Sequence, residues 1–162
     1  MLKIEVIDHE HAVATGDSSM LCLWRGQTTH QAVIELHSIS ASLAKRTPNK
    51  VGHLTVVEQG AAMPSSVVRD ELAKVLRGVA TSVACSALVF EGGGFLAATV
   101  RAITTTLNQV ARQPFPHRVF ATVDEATAWM GSLSPQLKQD HLQNEMLQLR
   151  RALDLQTESS AS

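Results

Sequence analysis

The feature that most constrains this chain is an alternation that recurs from Met20 to Met130. Four times an apolar run of strand character ends in a polar or glycine-rich break, and a helical pattern follows. Strands alternating with helices fold as an α/β domain, and such domains place function at the breaks.

Ahead of the alternation, Leu2, Ile4 and Val6 interleave with Lys3 and Glu5, the period of a half-buried strand. Asp8 to His11 reads as a turn, His11 to Ala14 as a second short strand, and Gly16-Asp17-Ser18 as a break. Met20 to Trp24 is a buried strand ending at Arg25-Gly26. Thr28 with Gln31 forms a capping-box pattern, and the helix it opens carries Ala32, Leu36, Ile39 and Leu43 on one face, until Pro48-Asn49. Val51 to Glu58 is a strand, and the loop Gln59 to Met63 leads through Pro64-Ser65-Ser66 into a helix with Val68, Leu72, Val75 and Val79 on one face. Val83 to Phe90 is the next buried strand. Glu91-Gly92-Gly93-Gly94 then turns into a helix carrying Leu96, Val100, Ile103, Leu107 and Val110, closed by Pro114 and Pro116. His117 to Ala121 is a last short strand. Thr122 and Glu125 cap a helix lined by Ala126, Trp129 and Met130, which Gly131 stops.

Ser134-Pro135 opens a C-terminal helix whose Leu142, Met146, Leu149 and Leu153 form a narrow heptad-like stripe. Such a stripe either packs back on the domain or makes a homodimer contact. Thr157 to Ser162 is a polar tail expected to be disordered. The spans are therefore an α/β domain over 1–131, an amphipathic helix over 132–156 and a tail over 157–162.

The composition, 44% hydrophobic against 18% charged, fits a packed core rather than disorder. A net charge of −1 with interspersed signs leaves no electrostatic footprint for nucleic acid, and Lys45, Arg46 and Lys50 read as a solvated loop. Cys22 and Cys85 lie inside apolar runs and read as buried free thiols. Glu5, Asp8 and Glu10 interrupt the stretch a signal peptide would need. The longest apolar stretch, Ala84 to Val100, is broken by Glu91 and three glycines, so no membrane span is expected and the chain reads as cytoplasmic. The seven histidines include no pair at helical spacing with a Glu, so no metal site is expected, and no cofactor motif is present.

Ser65 and Ser66 sit between a strand and a helix, where hydroxyls cap exposed N–H groups and where a phosphate would be favoured. Gly92-Gly93-Gly94 precedes a helix, lacks the P-loop spacing, and reads as a tight turn with positive backbone angles; the alternative reading is a loop that lets a ligand or partner backbone approach closely. Glu58 and Glu91 both end strands, and their convergence above the sheet edge would give an acid–base pair. No nucleophile, metal set or cofactor motif accompanies them.

In this order of elements the chain resembles the STAS family, the sulfate-transporter and anti-sigma-factor-antagonist domains, over residues 1 to 131. Leu21-Cys22-Leu23-Trp24-Arg25-Gly26 with the Thr28 helix is similar to the family's strand, glycine and first helix. Leu54-Thr55-Val56-Val57-Glu58, a loop and Pro64-Ser65-Ser66-Val67 are similar to its strand ending in Asp and its Asp-Ser-Ser-Gly helix start. Val119 to Ala126 is similar to the closing strand and helix. Pro64 stands where the family has Asp, and Val67 where it has Gly.

The resemblance implies a mixed sheet of four to five strands with helices mainly on one face, followed by the C-terminal helix. It implies a non-enzymatic signalling role, in which a protein partner, a kinase or another regulator, meets Glu58, Met63, Pro64, Ser65, Ser66 and Arg69. Ser65 would be the phosphate acceptor, with Ser66 beside it. The alternative, from relatives of the CRAL-TRIO type, is a carrier for a lipid or anionic metabolite. Its pocket would lie under the start of the glycine-loop helix, bordered by Glu91, Gly92, Gly93, Gly94 and Phe95.

Overall fold

The computed structural model describes residues 1–93 and 114–160. Among these, six strands form one mixed sheet in chain order: β1 (Lys3–Ile7), β2 (His11–Thr15), β3 (Ser19–Trp24), β4 (Val51–Val57), β5 (Val83–Phe90) and β6 (His117–Phe120). The first three pair antiparallel, and β3 through β6 run parallel. The count exceeds the expected four to five because both short outer strands, β1 and β6, join the ladder.

Helices α1 (His30–Arg46) and α2 (Ser66–Gly78) follow β3 and β4; α3 (Val123–Leu133) and α4 (Gln139–Ser160) follow β6. Every residue of β2 and β3 is buried, the pattern of strands covered on both faces. Side-chain alternation divides them. Met20, Cys22 and Trp24 pack under α1 and α2 with Ala32, Val33, Leu36, Val68 and Val75. Leu21 and Leu23 pack on the opposite face with Ala126, Met130 and the α4 stripe. The expectation of helices mainly on one face is thus corrected: among the described residues, two helices cover each face. Val68, Leu72 and Val75 do face the sheet as their spacing requires.

Leu142, Met146, Leu149 and Leu153 are at most 2% exposed and share a core with β2, β3, β4 and β5. This corrects the homodimer expectation for these four residues, because the stripe is spent inside its own chain. Four further boundaries differ from the sequence reading. Thr29, not Thr28, caps α1, its hydroxyl accepting from the Ala32 N–H at 3.2 Å, while Thr28 is buried. α3 runs through Gly131 to Leu133, and a Cβ at Gly131 would sit 3.1 Å from the Leu137 carbonyl, so the glycine serves close approach rather than helix ending. Ser134–Lys138 is a connection, and α4 begins at Gln139. The expected tail is helical to Ser160, with the hydroxyls of Thr157, Ser159 and Ser160 bonded to carbonyls four residues back.

Glu145 is 2% exposed and accepts from the Ser19 hydroxyl at 2.7 Å. A Cβ at Gly16 would fall well inside contact distance of both the Glu145 carboxylate and the Ser19 oxygen. Gly16→Ala must therefore displace a buried, hydrogen-bonded carboxylate. It is expected to lower the unfolding free energy by about 2 kcal/mol. Urea denaturation checks this, and a loss under about 0.5 kcal/mol, the range of an ordinary surface change, contradicts it.

Candidate functional site

The parallel strands end in register. Trp24 lies opposite Val57, and Val57 opposite Phe90. The next residue of each strand is charged: Arg25, Glu58 and Glu91. By alternation all three belong to the α4 side, with Leu23, Val56 and Val89. This edge, at the carboxyl ends of parallel strands, is where open α/β sheets place their sites.

Arg25 holds the Glu58 carboxylate with Nε at 2.6 Å and Nη2 at 3.2 Å, and Nη2 reaches Asp154 of α4 at 2.7 Å. The Glu58 carboxylate, first among the causes, raises the Arg25 guanidinium above its ordinary range. Arg150 of α4 donates from Nη1 to Glu58 at 2.6 Å and to Glu91 at 3.0 Å, and from Nη2 to Glu91 at 2.8 Å. Glu58 and Glu91 therefore do come together, but on one guanidinium. The arrangement is that of ion-pair partners, not of a free acid facing a free base.

Beyond Glu58 the chain turns at Gly60, whose φ of +94° favours glycine, and the Ala61 N–H donates to the Glu58 carbonyl at 3.1 Å. Beyond Glu91, Gly92 has φ +112°, and a Cβ there would lie 3.1 Å from Gln59 Cγ. The positive backbone angle read from the glycine run is present at Gly92, and the loops after β4 and β5 touch. Gly93 is exposed. Gly94, Phe95 and the helical pattern carrying Leu96, Val100 and Ile103 lie outside the described residues.

The β4–α2 loop delivers the chain to the tip of α2. Ser65 is the N-cap, its Oγ accepting from the Val68 N–H at 3.3 Å. Val68 and Val75 anchor the helix below, while Ser65, Ser66 and Arg69 are exposed and Pro64 is half-buried. Met63 is 51% and Val67 65% exposed, so two large apolar side chains flank the hydroxyls. No acidic residue occupies the first turn of α2.

His30 at the start of α1 meets Glu71 of α2 at 2.7 Å. Ile34, 50% exposed, lies one turn along α1 from His30, and Val67 one turn before Glu71 on α2. The pair therefore sets Ile34 on the same side of the two helices as Val67. Sequence reasoning missed His30, Glu71 and Ile34, as it missed Arg25, Arg150 and Asp154. The row of charges had a signal: each strand ends in the same apolar–x–apolar–x–charged order.

At the opposite sheet edge a cleft of about 170 Å³ lies between Asp17, Ser18, Ser19, Gln136, Leu137, His141 and Leu142. Its lining is mostly polar, and it is a different place from the pocket expected under the start of the glycine-loop helix, which lies outside the described residues. Cys22 and Cys85 are free and buried, and burial pushes their thiols up to about 12 and about 11. No group of three or more His, Cys, Asp or Glu residues gathers for a metal, and no helix is long and apolar enough to cross a membrane, among the described residues.

The chain matches no protein-family model and no curated protein. Among solved structures it is similar to an uncharacterized protein of the DUF3478 family from Shewanella loihica PV-4, described as having a SpoIIAA-like fold. The TM-score is 0.52 at 13% identity, over 79% of this chain and 92% of that one. The chain therefore has a SpoIIAA-like fold, the STAS-like α/β architecture implied by the order of its motifs.

Proposed function

We propose that this protein is a non-catalytic regulator that binds a protein partner through the tip of α2, with Ser65 as the point where charge is added. The observation that carries the reading is the exposed N-cap hydroxyl between exposed Met63 and Val67. Exposed apolar side chains on a rigid helix end supply contact area that a partner can desolvate. A phosphate on Ser65 would bring about two negative charges to a helix N-terminus that favours them, and into the middle of that apolar contact. The same group would thus be tolerated by the fold and opposed by the partner. The SpoIIAA-like fold supports a regulatory role, and a kinase or another regulator in the cytoplasm is the partner class that fits. The ion pairing of Glu58 and Glu91 with Arg150 supports a role without acid–base chemistry.

Site-specific photo-crosslinking tests the reading. A crosslinking residue at Met63 or at Val67, in cells of the protein's own host, is expected to trap the same protein partner. The same residue at Leu155, exposed on α4, is expected not to trap it. Capture of that protein equally from Leu155, or no capture from either tip position, would overturn the proposal.

A further inference from the structure

The loop that presents the tip is held from the far end of the chain. Glu58 is its first residue, and the Glu58 carboxylate is gripped by Arg25, the residue after β3, and by Arg150 from α4. Arg150 also grips Glu91, the residue before Gly92, and Gly92 lies against Gln59. One guanidinium therefore fixes the residues that open both loops, and it comes from a helix 92 positions beyond Glu58. The helix is anchored at its stripe, because Leu149 and Leu153, which directly precede Arg150 and Asp154, are fully buried.

We infer that Arg150 is a positioning residue for the α2 tip, and that its guanidinium, reaching out from the anchored α4, works as a strap regulating it. With the strap closed, Glu58, Gln59 and Gly92 are held and Met63 and Ser65 are presented in one geometry. With Arg150 withdrawn, Glu91 loses both guanidinium bonds and Glu58 one of its two arginines. The Gly60–Met63 segment then samples many conformations, and the tip pays an ordering cost on binding. A ligand or modification acting on α4 near Arg150 and Asp154 would in this way be felt at Ser65. The inference rests on the reading of the tip as the binding surface, but its test needs no partner.

The test is backbone ¹⁵N relaxation of the full chain, which reads fast motion within the folded state and not global stability. Order parameters of Gly60 to Met63 are expected near about 0.8 in the wild type and below about 0.6 in Arg150→Met, with Arg150→Lys between them and β4 unchanged. Glu91→Gln, a milder change, is expected to loosen Gln59 and Gly92 in the same direction, and keeps the test available if Arg150→Met does not fold. Equal order parameters in the wild type, Arg150→Met and Glu91→Gln, or a loop already mobile in the wild type, would overturn the strap. That result would leave the crosslinking outcome at the tip unaffected, and a failure of crosslinking would leave the strap unaffected.

Discussion

Leu149→Ala is expected to lower the free energy of unfolding by about 3–5 kcal/mol. Leu149 is fully buried among Leu142, Met146 and Leu153, against Ala12, Ala14, Leu21 and Leu23 of the sheet. Truncation removes the transfer free energy of the lost methyl groups and leaves a cavity. The surrounding side chains cannot close it easily, because β2 contributes only small alanines on that face. Leu155, 64% exposed on the same helix, is the control, and Leu155→Ala is expected to change stability by less than about 0.5 kcal/mol. Urea denaturation of both variants with unchanged slope is the check. A loss below about 1 kcal/mol for Leu149→Ala would show that α4 is peripheral to the fold, against its place in the core.

The second large effect is acid sensitivity. His53 on β4 is 8% exposed, and burial lowers its pKa from 6.5 to about 4. The unfolded chain takes up this proton near pH 6.5 and the folded chain only near pH 4, so between those values the unfolded state binds more protons. The stability present above pH 6.5 is then lost progressively as pH falls, by about 3 kcal/mol at pH 4 from this group. Burial lowers His117 as well, which adds in the same direction. Unfolding free energies at pH 7.5 and pH 4.5 are expected to differ much less in His53→Gln than in the wild type. Parallel pH profiles for the two proteins would contradict the assignment.

Local signals carried much of this fold. The hydroxyl before Val68, Leu72 and Val75 marks the start of α2 because capping and apolar spacing are both short-range. At α1 the adjacent threonines are chemically alike, and only burial of Thr28 decides that Thr29 is the cap. The α4 stripe has the same spacing whether it covers its own sheet or a second copy, so its destination was not legible from Leu142 to Leu153 alone. The small Ala12 and Ala14, which leave room for it, are distant in sequence from the stripe and meet it only in the folded chain. The network at the site shows the same limit. Glu58 and Glu91 were visible as strand-ending acids, but their shared partner Arg150 depends on β4–β5 register and on how α4 docks, both long-range properties.

The central claim is that charge at Ser65 controls a partner held at the α2 tip, and the most direct measurement is the dissociation constant of the partner trapped at Met63 and Val67. Wild type and Ser65→Ala are expected to bind with affinities within about threefold, and Ser65→Asp at least about tenfold more weakly, a difference of about 1.4 kcal/mol. Equal affinity for all three proteins would contradict the account.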